Sequence, residues 1–223
     1  MKTLKAWDVP IRLFHWILVA SILVSWYTVK TSGEPLLFPI EWHARAGYTI
    51  LVLLVFRWSW SIVGSRHARL RALLRSPRVV ARYAAGWFRR HPDRYVGHNP
   101  LGGWMTLLLL LSLSLQVTSG LVMSDDVLFT APLAGKLGGR LEEILVTLHH
   151  WNGNALFVLV GIHLAAIVLH RLRGEALVVA MVTGRKRFSG AVKDGENQPV
   201  SGWRAWAVAA LAVAVLVAIL EWA

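Results

Sequence analysis

The segment LHHWNGNALFVLVGIHLAAIVLHR, Leu148 to Arg171, is apolar enough to span a bilayer and still carries His149, His150, His163 and His170. Lipid offers such rings no partner, so ionisable groups at membrane depth are kept for a task inside the protein. Helix geometry limits which of them act together. At about 100° and about 1.5 Å per residue, the interval from His149 to His163 is nearly four turns, so both rings leave one face at depths about 21 Å apart. One helix can therefore serve two stacked sites. His150 lies about 140° round the helix from His163 and belongs to another face, while His170 follows about 10 Å further along the same side, where the helix leaves the membrane.

The whole chain has the balance of an integral membrane protein: 223 residues, 56% hydrophobic content and a mean hydropathy of +0.51. Its net charge of +12 does not point to nucleic acid, because the basic residues cluster between apolar runs as cytoplasmic loops do. There is no cysteine, which excludes disulfides, thiolate-held zinc, iron–sulfur clusters and a covalently attached c-type haem. Histidine is left as the soft ligand. The first apolar run has no small-residue cleavage site after it and contains a histidine, so it is read as a retained span.

Five apolar segments are expected to cross the membrane, at about residues 11–28, 42–63, 101–123, 144–172 and 203–222. The fold expected is an all-α integral membrane protein, with a four-helix bundle over residues 1–187 and a polar linker and fifth helix over 188–223. His15 stands about one turn inside the first span, beside Trp16. A loop with Lys30, Glu34, Pro35, Pro39 and Glu41 leads to the second span, which opens with Trp42 and His43 and has Gly47 one turn later. A flat ligand could approach the backbone at Gly47; close helix packing is the alternative use for Gly47 and for Gly161.

Between Arg66 and Arg94 there are nine arginines and a single acid, Asp93, which makes this loop cytoplasmic by the positive-inside rule. Its middle, Ser76 to Arg90, reads as an amphipathic helix with Val79, Val80, Tyr83, Trp87 and Phe88 available for an anionic lipid surface, a docking site for a cytoplasmic protein being the alternative. Asn99-Pro100 has the form of a cap and first-turn proline for the third span. The nearly neutral loop from Ser124 to Glu143, with Asp125 and Asp126, fits the periplasmic side, and the basic segment from Arg171 to Lys193 returns the chain to the cytoplasm. The fifth span has tryptophans at both ends and no histidine, so no chemistry is assigned to it.

This topology puts the N-terminus inside and the C-terminus outside, and it sorts the histidines by depth. His43 and His149 fall near the periplasmic surface, His15 and His163 toward the cytoplasmic one, each pair from two different helices. Two imidazoles beside glycine and aromatics, with no carboxylate close by, suit a bis-histidine haem, which carries electrons rather than binding oxygen. Zinc competes, but it wants three or four ligands at one level; histidines satisfied within the core are a further alternative. Trp16, Trp42 and Trp151 read as interface or haem-packing residues.

The motifs WDVPIRLFHW, EWHARAGYTILVLLVFRWSWSIVGS, GHNPLGGWM, LHHWNGNALFVLVGIHLAAIVLHR and TGRK, over about residues 6–187, resemble the prokaryotic cytochrome b561 group, which includes the b-type cytochrome subunits of membrane-bound nickel–iron hydrogenases. The resemblance implies a four-helix bundle in the bacterial inner membrane holding two b haems on His15, His43, His149 and His163. It implies electron transfer between the quinone pool and a redox partner such as a hydrogenase or a periplasmic cytochrome c. His150 stands where the family leads one to expect a glutamate directly after the outer ligand, so His149 and His150 are the neighbours from which that ligand is drawn; Asn154 and His163 keep the family's distances from His149. Quinone or haem propionate contacts are sought among polar groups at the inner surface, Arg12, His98, Asn99 and His170. A haem-bearing anchor or assembly subunit, and a histidine-lined metal or proton transporter, are the other functional classes this sequence admits.

Overall fold

The computed structural model describes residues 2–31, 40–87, 93–124 and 129–222. Glu34, Pro35, Pro39, Phe88, Asp125 and Asp126, named above, lie outside the described residues. In chain order the elements are β1 (Lys2–Lys5), α1 (Val9–Lys30), α2 (Ile40–Val63), α3 (Leu70–Leu73), α4 (Pro77–Gly86), α5 (Pro100–Gly120), α6 (Gly139–Leu172), α7 (Leu177–Thr183), β2 (Arg185–Phe188) and α8 (Gly202–Trp222). The five long helices α1, α2, α5, α6 and α8 are long and apolar enough to cross a membrane. Large apolar side chains along them, such as Val158, Ile62 and Trp206, lie on the surface, where only a lipid solvent tolerates them in such number.

The chain divides into two compact units, and each of the five long helices contributes to both. The first consists of Met1–Leu13, Trp58–Leu109 and Leu159–Trp206, the second of Phe14–Arg57, Leu110–Val158 and Ala207–Ala223.

The first unit contains a feature that hydrophobic periodicity did not indicate. β1 and β2 form an antiparallel ribbon pairing Lys2 with Phe188, Thr3 with Arg187, Leu4 with Lys186 and Lys5 with Arg185, so an otherwise helical protein carries a small sheet. Four-residue strands rich in lysine and arginine have no apolar alternation to betray them. The ribbon is closed by the loop after it: Asn197 N donates to the Lys5 carbonyl at 2.9 Å, and Lys5 N donates to Glu196 Oε1 at 2.8 Å. Asp8 then caps α1 by accepting Ile11 N at 3.0 Å and takes Trp60 Nε1 at 3.1 Å, which fixes the buried Trp60.

The GHNPLGGWM motif works in this unit residue by residue. Gly97 faces the His67 ring so closely that a Cβ there would lie 2.4 Å from Nδ1. Asn99 Oδ1 accepts Gly102 N at 2.7 Å, the cap expected of it, with Pro100 as first helical residue. A Cβ at Gly103 would lie 2.6 Å from the Leu73 carbonyl, so its absence lets α5 lie against the backbone of α3. Helix α4 differs from the amphipathic reading in where its aromatics go: Tyr83 is buried, 5.8 Å from Tyr95, and Trp87 packs on His170 at 4.5 Å. The apolar face of α4 is partly spent on the protein itself, leaving Val79 exposed.

In the second unit the turn before α6 is tied by Glu142, whose carboxylate accepts Gly135 N at 3.0 Å and Leu137 N at 2.9 Å. These bonds start α6 at Gly139, earlier than hydrophobicity alone suggests, because the added first turn is polar. Gly135 and Gly138 take positive φ of 78° and 87° there, a backbone that other residues adopt only under strain.

Candidate functional site

In the second unit α2 brings His43, and α6 brings His149, to a ring-centroid distance of 6.3 Å with planes at 76°. Each ring is anchored by one nitrogen. His43 Nδ1 donates to the Ser25 carbonyl of α1 at 3.1 Å, with Ser25 Oγ also at 3.1 Å. His149 Nδ1 donates to the Gln116 carbonyl of α5 at 3.0 Å and lies 3.2 Å from Ser119 Oγ. A carbonyl oxygen can only accept, so Nδ1 carries the proton on both rings and Nε2 holds the lone pair.

Two neutral rings whose lone pairs both sit on Nε2 cannot hydrogen-bond to one another, but both can donate to one metal. Metal–imidazole bonds of about 2 Å would hold the two nitrogens about 4 Å apart across an ion. Adding the ring radii brings the centroids close to the observed 6.3 Å. These two rings would hold a haem iron, and the Nδ1 bonds are the second set of contacts that metal-binding histidines require. Among the described residues no three or more His, Asp or Glu side chains come together as metal ligands, so the donor set is two rings.

A Cβ added at Gly47 would meet nothing within 4 Å, and the same holds at Gly161, so neither glycine serves a close helix contact; Gly120 does lie against the His149 ring, where a Cβ would come 3.0 Å from Cε1. His150 is exposed, with its ring edge-on to His149 at 6.1 Å. Asn154 is exposed as well. His15, half-buried on α1 in the second unit, meets Trp16 edge-on at 5.1 Å. His163 is half-buried on the part of α6 that belongs to the first unit. Trp42 lies under the Arg45 guanidinium at 5.3 Å, and Trp151 is exposed.

The four inner-surface candidates all fall in the first unit, and two of them meet. Asn99 Nδ2 donates to His170 Nε2 at 3.2 Å, while His170 Nδ1 faces Glu175 Oε2 at 3.1 Å. Since Asn99 Oδ1 is taken by the helix cap, its amide must present the NH₂ to His170, which makes His170 the Nδ1–H tautomer. His98 packs on Trp7 at 4.7 Å, and Arg12 Nη2 donates to the Val182 carbonyl.

A sequence model described as prokaryotic cytochrome b561 matches residues 6–184. The chain belongs to this family. It is therefore a b-type cytochrome, a multi-pass membrane protein that carries haem b and transfers electrons. Three relatives bear the name "Probable Ni/Fe-hydrogenase B-type cytochrome subunit". The protein from Rhizobium leguminosarum bv. viciae is 26% identical over 88% of this chain and 92% of its own length. The one from Azotobacter vinelandii is 26% identical over 82% and 88%, and the one from Cupriavidus necator is 26% identical over 84% and 89%. No solved structure matches the chain significantly.

Two features of this cytochrome escaped the reading of its sequence. Ser25, Gln116 and Ser119, which orient the two rings, are small or polar residues in apolar helices whose partners only the tertiary structure supplies. Arg57 is 3% exposed within α2, on one buried stripe with Ala46, Ile50 and Leu54. A charge in an apolar span was the available signal, and its interval from His43 equals that from His149 to His163.

Proposed function

We propose that this cytochrome holds two haem b groups at different depths, the outer on His43 and His149 and the inner on His15 and His163, and passes electrons through the bacterial inner membrane between the quinone pool and a hydrogenase. The observation that carries the reading is the outer pair: two Nδ1-anchored rings with free-electron-pair nitrogens, 6.3 Å apart between centroids. The inner pair is supported by the near-whole number of turns from His149 to His163 along α6. The names of the relatives support the hydrogenase as partner, and the arginine-rich stretch between Arg66 and Arg94 supports a cytoplasmic N-terminus with a periplasmic C-terminus.

Bound haem supplies a one-electron couple at iron. His43 and His149, and His15 and His163, would hold haem iron through their imidazole lone pairs, and the Nδ1 bonds of His43 and His149 would hold the orientation of the outer rings. Gly47 leaves the backbone of α2 open one turn from His43. Arg12, His98, Asn99 and His170 are the polar groups proposed for quinone or propionate at the inner end. In the geometry observed, Asn99 and His170 are bonded to each other, so a quinone oxygen engaging either one would replace that bond.

The test is the haem content and spectrum of the purified chain. Two haem b per polypeptide are expected, with His43→Ala losing one and His43→Ala/His163→Ala losing both. Prompt reduction by a quinol analogue is expected of the intact protein. A colourless chain from haem-replete cells, or pigment unchanged in the double variant, would overturn the assignment; failure of the quinol to reduce the haem would leave a passive anchor.

A further inference from the structure

Next to the outer histidine pair, α5 and α6 are joined by an amide network that lies wholly in the second unit. Asn152 stands three residues after His149 on α6. Its Nδ2 donates to the Ser112 carbonyl at 2.9 Å and to Gln116 Oε1 at 2.8 Å, and its Oδ1 accepts Ser112 Oγ at 2.7 Å. The carbonyl contact fixes which end of the amide is nitrogen, so both N–H groups are committed to α5. Gln116 is the residue whose main-chain carbonyl takes His149 Nδ1. One residue of α5 is thus gripped by Asn152 through its side chain and grips the ligand ring through its backbone.

In an apolar slab these groups have no water to turn to, so sliding α6 along α5 would strand several polar atoms at once. We propose that Asn152 is a positioning residue for the outer haem ligand: by clamping α6 onto the Ser112–Gln116 turn it sets the Nδ1 hydrogen bond and ring plane of His149, and through them the electron affinity of the outer haem. The proposal rests on the haem reading above. A firm Nδ1–H···O=C bond makes the imidazole a stronger donor, and stronger donation favours ferric iron. Loosening the clamp therefore raises the reduction potential. The angle between two axial imidazole planes, 76° here between the rings, also governs the spread of g-values of low-spin ferric haem, so a rotated His149 is visible by electron paramagnetic resonance.

The full chain in detergent is compared with Asn152→Leu by haem content, redox titration and low-temperature electron paramagnetic resonance. Asn152→Leu is expected to keep both haems. In one of them the ratio of reduced to oxidised form at fixed ambient potential should rise about tenfold, about 59 mV for a one-electron couple, and its largest g-value should move; the other haem should be unchanged. The double variant Asn152→Leu/Gln116→Leu removes the stranded Gln116 amide but keeps the carbonyl that binds His149. A purely structural role predicts that the double variant recovers wild-type potential and g-value, whereas positioning predicts that both stay shifted. Recovery, or a single variant with full haem content and unmoved signals, overturns the proposal. Should Asn152→Leu alone fail to accumulate, the double variant and Asn152→Ser carry the same measurement. A wild-type chain without haem would defeat the haem reading and the proposal with it.

Discussion

In the first unit of this cytochrome, His67 donates from Nε2 to the Gly195 carbonyl at 3.0 Å and has Asp194 at 3.8 Å from Nδ1, while His170 has both nitrogens engaged, by Asn99 and Glu175. In the second unit, His43 and His149 are anchored through Nδ1 to main-chain carbonyls of neighbouring helices. The same side chain is a fastener in one region and, in the function proposed, an iron ligand in the other. What distinguishes them is which nitrogen the protein has taken: His67 and His170 have Nε2 engaged, whereas Nδ1 held by a carbonyl leaves Nε2 of His43 and His149 with its lone pair in a fixed direction.

The sharpest way to break this contrast is to add one methyl group to a glycine in each unit. Gly103→Ala pushes a Cβ to 2.6 Å from the Leu73 carbonyl, and backbone cannot step aside. A loss of about 2–3 kcal/mol of stability is expected, measured by denaturant unfolding in detergent, with the optical and paramagnetic signals of the folded fraction unchanged. Gly120→Ala meets only the His149 ring edge at 3.0 Å, so it should cost about 1 kcal/mol while moving the spectrum of one haem. If the two variants exchanged these effects, the division between fastening and ligating regions would fail.

Acidification probes the fasteners directly. Burial pushes the His67 imidazole below its ordinary 6.5, against Asp194 and the Gly195 carbonyl, with Arg66 and Lys186 adding to the fall. Its neutral form is the one the fold accepts, so that stability is complete above about 6.5 and is lost as pH falls through the lower folded value. Glu175 acts in the same direction: burial raises it, but the His170 hydrogen bond and the neighbouring His170, Lys186 and Arg94 prevail and the net shift is downward from 4.5. Its contribution is present above that value and disappears on further acidification. Thermal unfolding followed between pH 7 and 4 should show a falling midpoint, and His67→Gln should flatten the upper part of that fall; an unaltered pH profile in the variant would remove His67 from the account.

The smallest effect belongs to the far end of the second unit. Lys136 Nζ donates to the Trp222 carbonyl at 3.3 Å and lies 5.5 Å from the centre of the Trp222 ring, exposed to solvent. Lys136→Ala should cost about 0.5 kcal/mol with haem content and potentials unaltered; loss of a haem would give α8 a part in the site that its sequence does not suggest.

Hydrophobic runs and helix arithmetic were enough to read five long apolar helices, the cap at Asn99 and the separate faces of His149 and His150. These are local properties, set by composition and by the fixed rotation per residue. The sequence by itself also showed which histidines were candidates, through the interval from His149 to His163. Only the tertiary structure decided which nitrogen of each ring is free, because that depends on carbonyls at Ser25 and Gln116 that belong to other helices and carry no residue-type signature. It alone placed Tyr83 and Trp87 in the protein rather than in lipid, and paired Lys2–Lys5 with Arg185–Phe188 across nearly the whole chain. A hydrogen-bond acceptor on the main chain is the same atom at every position, so its use can be read from coordinates and never from letters.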